Sequence, residues 1–127
     1  EKEFMELSLE KTFEDIDLFI KKAKDGKLVM KINNVAKDNL KPLADRLLEK
    51  LGKGFVFIAN VSDDKVTFIS KSNCEIHAGN MAKEAALITG GNGGGRPDMA
   101  QAGGKNISKV DEALAKIKEL VLWGNLD

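Results

Sequence analysis

Fifteen consecutive residues, Gly90 to Gly104, read GGNGGGRPDMAQAGG and hold seven of the twelve glycines in the chain. They also carry Arg96, one of two arginines, and Pro97, one of two prolines. A run this rich in glycine gives up side-chain packing and loses more backbone entropy on folding than any other composition. It persists where the backbone must take positive φ angles or pass close to another group. Two uses fit: a cradle of backbone N–H groups for an anion, and a wide surface turn. Whatever else the chain builds must bring its elements to this segment.

The rest of the composition narrows the choices. At 127 residues with 43% hydrophobic side chains, one compact domain with a real core is expected. Lys+Arg and Asp+Glu are both 20, so net charge is zero, which argues against a free-standing, strongly basic nucleic-acid binder. The single cysteine, Cys74, rules out an intrachain disulfide and fits a reducing cytosol. One Cys and one His, His77, do not close a structural zinc site, so no metal is expected. No apolar run has the length that spans a membrane. The chain begins at Glu1 rather than Met, and a piece of a longer protein is expected.

Residues 1–23 are acidic and amphipathic. Leu9, Phe13, Ile16, Ile20 and Ala23 step by four, three, four and three, the seam of a helix. An ordinary helix packed on its own domain and a helix that pairs with a partner both fit. Asp25-Gly26 ends it, so the expected division is a helical segment over 1–26 and a globular domain over 27–127. A strand is expected over Leu28–Ile32, then a helix from about Leu40 to Leu51 with Asn39 as cap and Pro42 in its first turn. The apolar run Phe55–Ala59 reads as a central strand buried on both faces, paired in a hairpin with Val66–Ser70. Lys71–Gly79 reads as irregular, Met81–Ile88 as a short helix, and Met99–Ala102 as a last strand. Ser108, with Asp111 three residues on, marks the start of a C-terminal amphipathic helix. The fold class is α/β (α+β): a small mixed sheet packed with helices, preceded by an N-terminal helix.

Little catalytic chemistry is available. Cys74 and His77 have no evident orienting acid, and the paired acids Asp63-Asp64 and Asp111-Glu112 sit at a turn and a helix start, where acids cap and solvate. Gly95 is followed by Arg96-Pro97 rather than Lys-Ser/Thr, so the run is not a Walker loop, and no register supplies G-x-G-x-x-G. Recognition remains. Consecutive glycines can aim N–H groups at a phosphate, Arg96 can add a bidentate contact, and Gln101 can both donate and accept. Lys71 and Lys105 would flank the segment if the hairpin end and the last helix start lie near it. With six Phe, one Trp and no Tyr, base stacking is disfavoured and reading of a folded RNA by backbone and shape is favoured.

GGNGGGRPDMAQAGG followed by an amphipathic helix resembles the signature of the C-terminal domain of alanyl-tRNA synthetases. The likeness extends from about Lys27 onward and includes FVFIA, VTFIS and the His-Ala-Gly of His77–Gly79. A shorter relative of the motif, triple glycine followed by His, occurs in the accessory domain of DHH phosphoesterases. Arg96 stands where those enzymes carry His, which favours the synthetase branch. The resemblance implies a cytoplasmic parent that attaches alanine to tRNA with ATP and magnesium. Its active site, editing site and zinc ligands would lie upstream, leaving this segment without enzyme activity or cofactor of its own. It implies a domain that binds the outer corner of tRNA and supports aminoacylation and editing, with the helical part over 1–23 as a possible homodimer contact. Carried over to this chain, Gly93, Gly94, Gly95 and Arg96 would contact phosphates. Gln101, Gly103, Gly104, Lys105 and Lys71 would assist, and Asp98 would orient Arg96. The alternatives are the oligonucleotide-holding lobe of a phosphoesterase and a purely structural dimerisation module.

Overall fold

The computed structural model describes residues 23, 26–35, 37–62 and 64–123. The expected helix over 1–23 (Ala23 apart), its stop at Asp25, Asp63 and the tail after Trp123 lie outside the described residues. The elements are β1 (Lys27–Asn33), α1 (Lys37–Leu51), β2 (Phe55–Ser62), β3 (Lys65–Ser72), α2 (Ala78–Ile88), β4 (Asn92–Gly95), β5 (Met99–Gly104), a 3-10 turn (Ile107–Lys109) and α3 (Val110–Trp123). The five strands form one sheet in the order β1-β2-β3-β5-β4. β1 and β2 are parallel, joined through α1, and the other pairs are antiparallel. The fold is therefore the mixed α/β sheet with helices that the element pattern predicts.

The sheet buries alternate residues on opposite faces. On one face Leu28, Met30, Val56, Ile58 and Ile69 pack under Leu40, Leu43 and Leu47 of α1. On the other, Phe55, Phe57 and Phe68 pack with Ala82, Ala85 and Ala86 of α2 and Ala113 and Ile117 of α3. β2 lies between β1 and β3 with a helix layer on each side, which is why FVFIA carries no polar alternation. Asn60 is buried in β2, and its side chain is satisfied by the backbone of Val35. Its amide donates to the Val35 carbonyl at 2.7 Å and accepts from the Val35 N–H at 3.1 Å, fixing the chain as it leaves β1.

The strands run one to three residues beyond their expected ends, β2 to Ser62 and β3 over Lys65–Ser72, and four further differences have a physical reason. α1 starts at Lys37, so Asn39 is inside it and Pro42 lies beyond the first turn. The missing N–H leaves the Asp38 carbonyl without its helical partner, and the helix carries this because Asp38 is exposed to water. α2 starts at Ala78 rather than Met81, because His77 is its cap: His77 Nδ1 accepts from the Asn80 N–H at 3.0 Å. Asn106, not Ser108, caps the last helical segment, accepting from the Ser108 N–H. Finally, the glycines Gly93–Gly95, read as an anion cradle or a wide surface turn, form an edge strand paired with β5.

Candidate nucleic-acid interface

The tip of the β4–β5 hairpin is the turn Arg96-Pro97-Asp98. Its backbone is tied down at every residue. The Arg96 N–H donates to the Met99 carbonyl at 3.1 Å; the carbonyls of Arg96 and Pro97 accept from Gly79 at 3.1 Å and Ala78 at 2.9 Å; and that of Asp98 accepts from Ser72 at 2.9 Å. With Asn80 held by His77, these bonds satisfy the first-turn N–H groups of α2 that a helix otherwise leaves unpaired. The helix start is thus used to hold the turn. The side chains of Arg96 and Asp98 stand out from this rigid base, 79% and 71% exposed, with Nε and Oδ1 3.7 Å apart. An exposed pair of this kind contributes little stability. The separation leaves Asp98 beside the guanidinium as an ion-pair partner.

Two glycines, one in α2 and one in β4, show how closely the backbones pack at this segment. A Cβ on Gly79 would sit 2.4 Å from the Gly95 carbonyl oxygen, so α2 can approach β4 only without one. Gly93 has φ of +155°, and a Cβ there would lie 2.3 Å from that of Ala102. Antiparallel residues alternate between bonding their partner and pointing away. With Arg96 bonding Met99, this alternation assigns Asn92 and Gly94 to the bonds with β5 and turns the N–H groups of Gly93 and Gly95 away from it. Those two donors are spaced about 7 Å apart along the strand. The glycines therefore offer a ribbon of donors along an edge rather than a nest converging on one point.

α1 packs on β2 and β3, and among the described residues no helix continues over that face across β5 and β4. Gln101 is exposed there, opposite Gly94, and shares a shallow cleft with Thr67, Asn92 and Gly103. Gly104 is buried, with Thr89 against it. Lys71 is on the α1 side but is half-buried and ion-paired with Asp45 of α1. Lys105 is exposed at the far end of β5. Six residue steps separate Met99, beside the Arg96 turn, from Lys105, roughly 20 Å of extended chain. The structure thus brings Gln101, Gly94 and Gly103 together, sets Arg96 and Lys105 at opposite ends of them, and engages Lys71 elsewhere. Sequence reasoning missed Lys65, Thr67 and Asn92, which line the open face. Thr67 carried a signal, since it is the polar residue on the outer side of a hairpin strand; Asn92 was hidden among glycines. Among the described residues no three His, Cys, Asp or Glu side chains cluster as metal ligands would, and no helix is long and apolar enough to cross a membrane.

Residues 24–122 match the family model of the DHHA1 domain, and the chain belongs to that family. Its relatives include alanine-tRNA ligases. That of Alkaliphilus oremlandii (strain OhILAs) is 46% identical over 96 residues, which is 72% of this chain and 11% of the relative. That of Natranaerobius thermophilus is 42% identical over 118 residues, 87% of this chain and 13% of the relative. The chain thus spans 11% to 13% of the length of these curated relatives. Among solved structures, the C-Ala domain from Aquifex aeolicus alanyl-tRNA synthetase is 34% identical with a TM-score of 0.65, covering 72% of this chain and 86% of that one. RecJ from Thermus thermophilus has a TM-score of 0.67 at 18% identity, covering 92% of this chain and 18% of that one; it shares the fold.

Proposed function

We propose that this chain is the C-terminal accessory domain of an alanine-tRNA ligase and that it binds the outer corner of tRNA. Catalysis, with its ATP, magnesium and zinc, belongs to upstream domains of the parent. The domain holds the tRNA while the aminoacylation and editing sites act on it. The observation that carries this reading is the clamped Arg96 turn beside an open half-sheet, in a chain 34% identical to a C-Ala domain. A guanidinium on a rigid base loses little freedom on meeting a phosphate, and the polar, non-aromatic face next to it suits RNA recognised by shape. The zero net charge implies weak binding by the isolated domain, strengthened by linkage to the rest of the enzyme.

The test is a titration of the 127-residue chain against folded alanine tRNA, a second folded tRNA and a short single strand, over a range of salt. Preference for both folded tRNAs over the single strand is expected. Arg96→Gln should weaken binding to both tRNAs alike and lower the salt slope by about one unit. An unchanged slope removes Arg96 from the interface. Preference for the single strand would instead support the phosphoesterase-like reading.

A further inference from the structure

We propose that Lys65 and Lys105 form a second phosphate anchor, at the opposite end of the open face from Arg96, and that an RNA backbone lies along β5 between the two. This rests on the tRNA-binding reading and goes beyond it by naming where the second contact falls. The first observation is register. Val66–Gly104 is the last pair of the β3–β5 ladder, so Lys65 and Lys105 are the next residue of each chain beyond it, and both line the same cleft. Like charges brought together on adjacent strands destabilise a sheet. Here nothing offsets them: among the described residues neither lysine is ion-paired, although Asp64 adjoins Lys65 in the turn.

The second observation is the ground between the lysines. Both line one cleft with Thr67, Asn92 and Gly103, whose hydroxyl, amide and backbone suit phosphate and ribose oxygens. The cleft also meets the C-terminal end of α2, where bare carbonyls would repel an anion. They are not bare. The Leu87 carbonyl accepts from the Gly90 N–H, that of Ala86 from Gly91, and that of Thr89 from both Lys105 and Asn106. These bonds reduce the repulsion that the end of α2 would otherwise oppose to an anion held by the two lysines.

The third observation is spacing. Gln101 lies between the Arg96 turn and the lysine pair on the same open face, so a backbone held at both ends would pass over it. A ligand that bridges the lysines supplies a counter-charge that no ion pair gives them among the described residues.

The experiment compares folded alanine tRNA binding by the unaltered 127-residue chain, by Lys65→Gln/Lys105→Gln, and by Lys50→Gln/Lys118→Gln, which removes the same charge from exposed sites on α1 and α3. The cleft variant is expected to lower the salt slope by about 1.4 to 1.8, two contacts at 0.7 to 0.9 each, and to weaken binding about tenfold or more near 0.1 M salt. Its melting temperature should stay equal or rise, since a repulsion has been removed, which separates loss of contact from loss of fold. The control variant should keep its slope. An unchanged slope in the cleft variant, or an equal loss in the control, overturns this inference while leaving the tRNA reading intact. Failure of the unaltered chain to bind any tRNA overturns both.

Discussion

Gly79 stands near the start of α2, where helix propensity and sterics predict opposite signs for the same change. Glycine in a helix is less favourable than alanine by roughly 0.5–1 kcal/mol, so on propensity alone Gly79→Ala would stabilise. The added methyl would instead meet a backbone carbonyl at 2.4 Å, and neither that carbonyl nor the clamped turn beyond it can step aside cheaply. A loss of about 1–3 kcal/mol is expected from urea unfolding, as for other overpacked sites. An unchanged or raised midpoint would show that α2 and β4 are not in backbone contact. At this scale the sequence was partly legible. Clustered glycines announced close approach or positive φ, and both occur. Which backbone each glycine meets was not legible, because Gly79 and Gly95 are sixteen positions apart and are joined only by the fold.

Among elements, α2 and the β4–β5 hairpin hold each other. The hairpin turn satisfies the helix's N-terminal donors, and the helix stops the turn from moving. His77 completes the arrangement as cap. His77→Ala is expected to cost about 1 kcal/mol, the usual loss for a missing cap, and His77→Asn should recover most of it, since asparagine is among the best capping residues. Amide exchange should quicken at Asn80 and spread to Ala78 and Gly79, whose N–H groups hold the Arg96 turn. Exchange confined to Asn80 would mean that the turn stands without the helix. The start of α2 and the strand at β4 were illegible for a common reason: the Ala78 and Gly79 N–H groups and β4 itself have their partners in distant parts of the chain. β4 is glycine-rich and so poor in strand propensity, and becomes a strand because β5 pairs one edge and α2 packs against it. By contrast β2, β3 and α3 carry their burial in their own periodicity, and were read with close boundaries.

For the molecule as a whole, the proposed tRNA contact needs a side, and charge and shape favour the same one. The exposed side of α3 shows Asp111, Glu112 and Glu119 beside Lys118, a mixed surface that gives phosphate no advantage. The open half-sheet shows Gln101, Thr67 and Asn92 between Arg96 at one end and, at the other, two lysines without an ion-pair partner among the described residues. It also ends in β4, the last strand of the sheet among the described residues, where the alternation of the ladder turns the N–H groups of Gly93 and Gly95 away from β5. Free strand edges are reactive surfaces that folded proteins normally cover; this one is short and built of glycine, so a phosphate backbone can reach its donors. Binding of folded tRNA should therefore slow amide exchange at Gly93 and Gly95 more than at Gly94, whose N–H is already in the ladder. It should leave the exposed turns of α3 unchanged. Such alternation along three neighbouring glycines is a signature that general tightening of the domain would not produce. Protection of α3 with β4 untouched would move the RNA to the opposite face, and with it the roles of Arg96, Lys65 and Lys105.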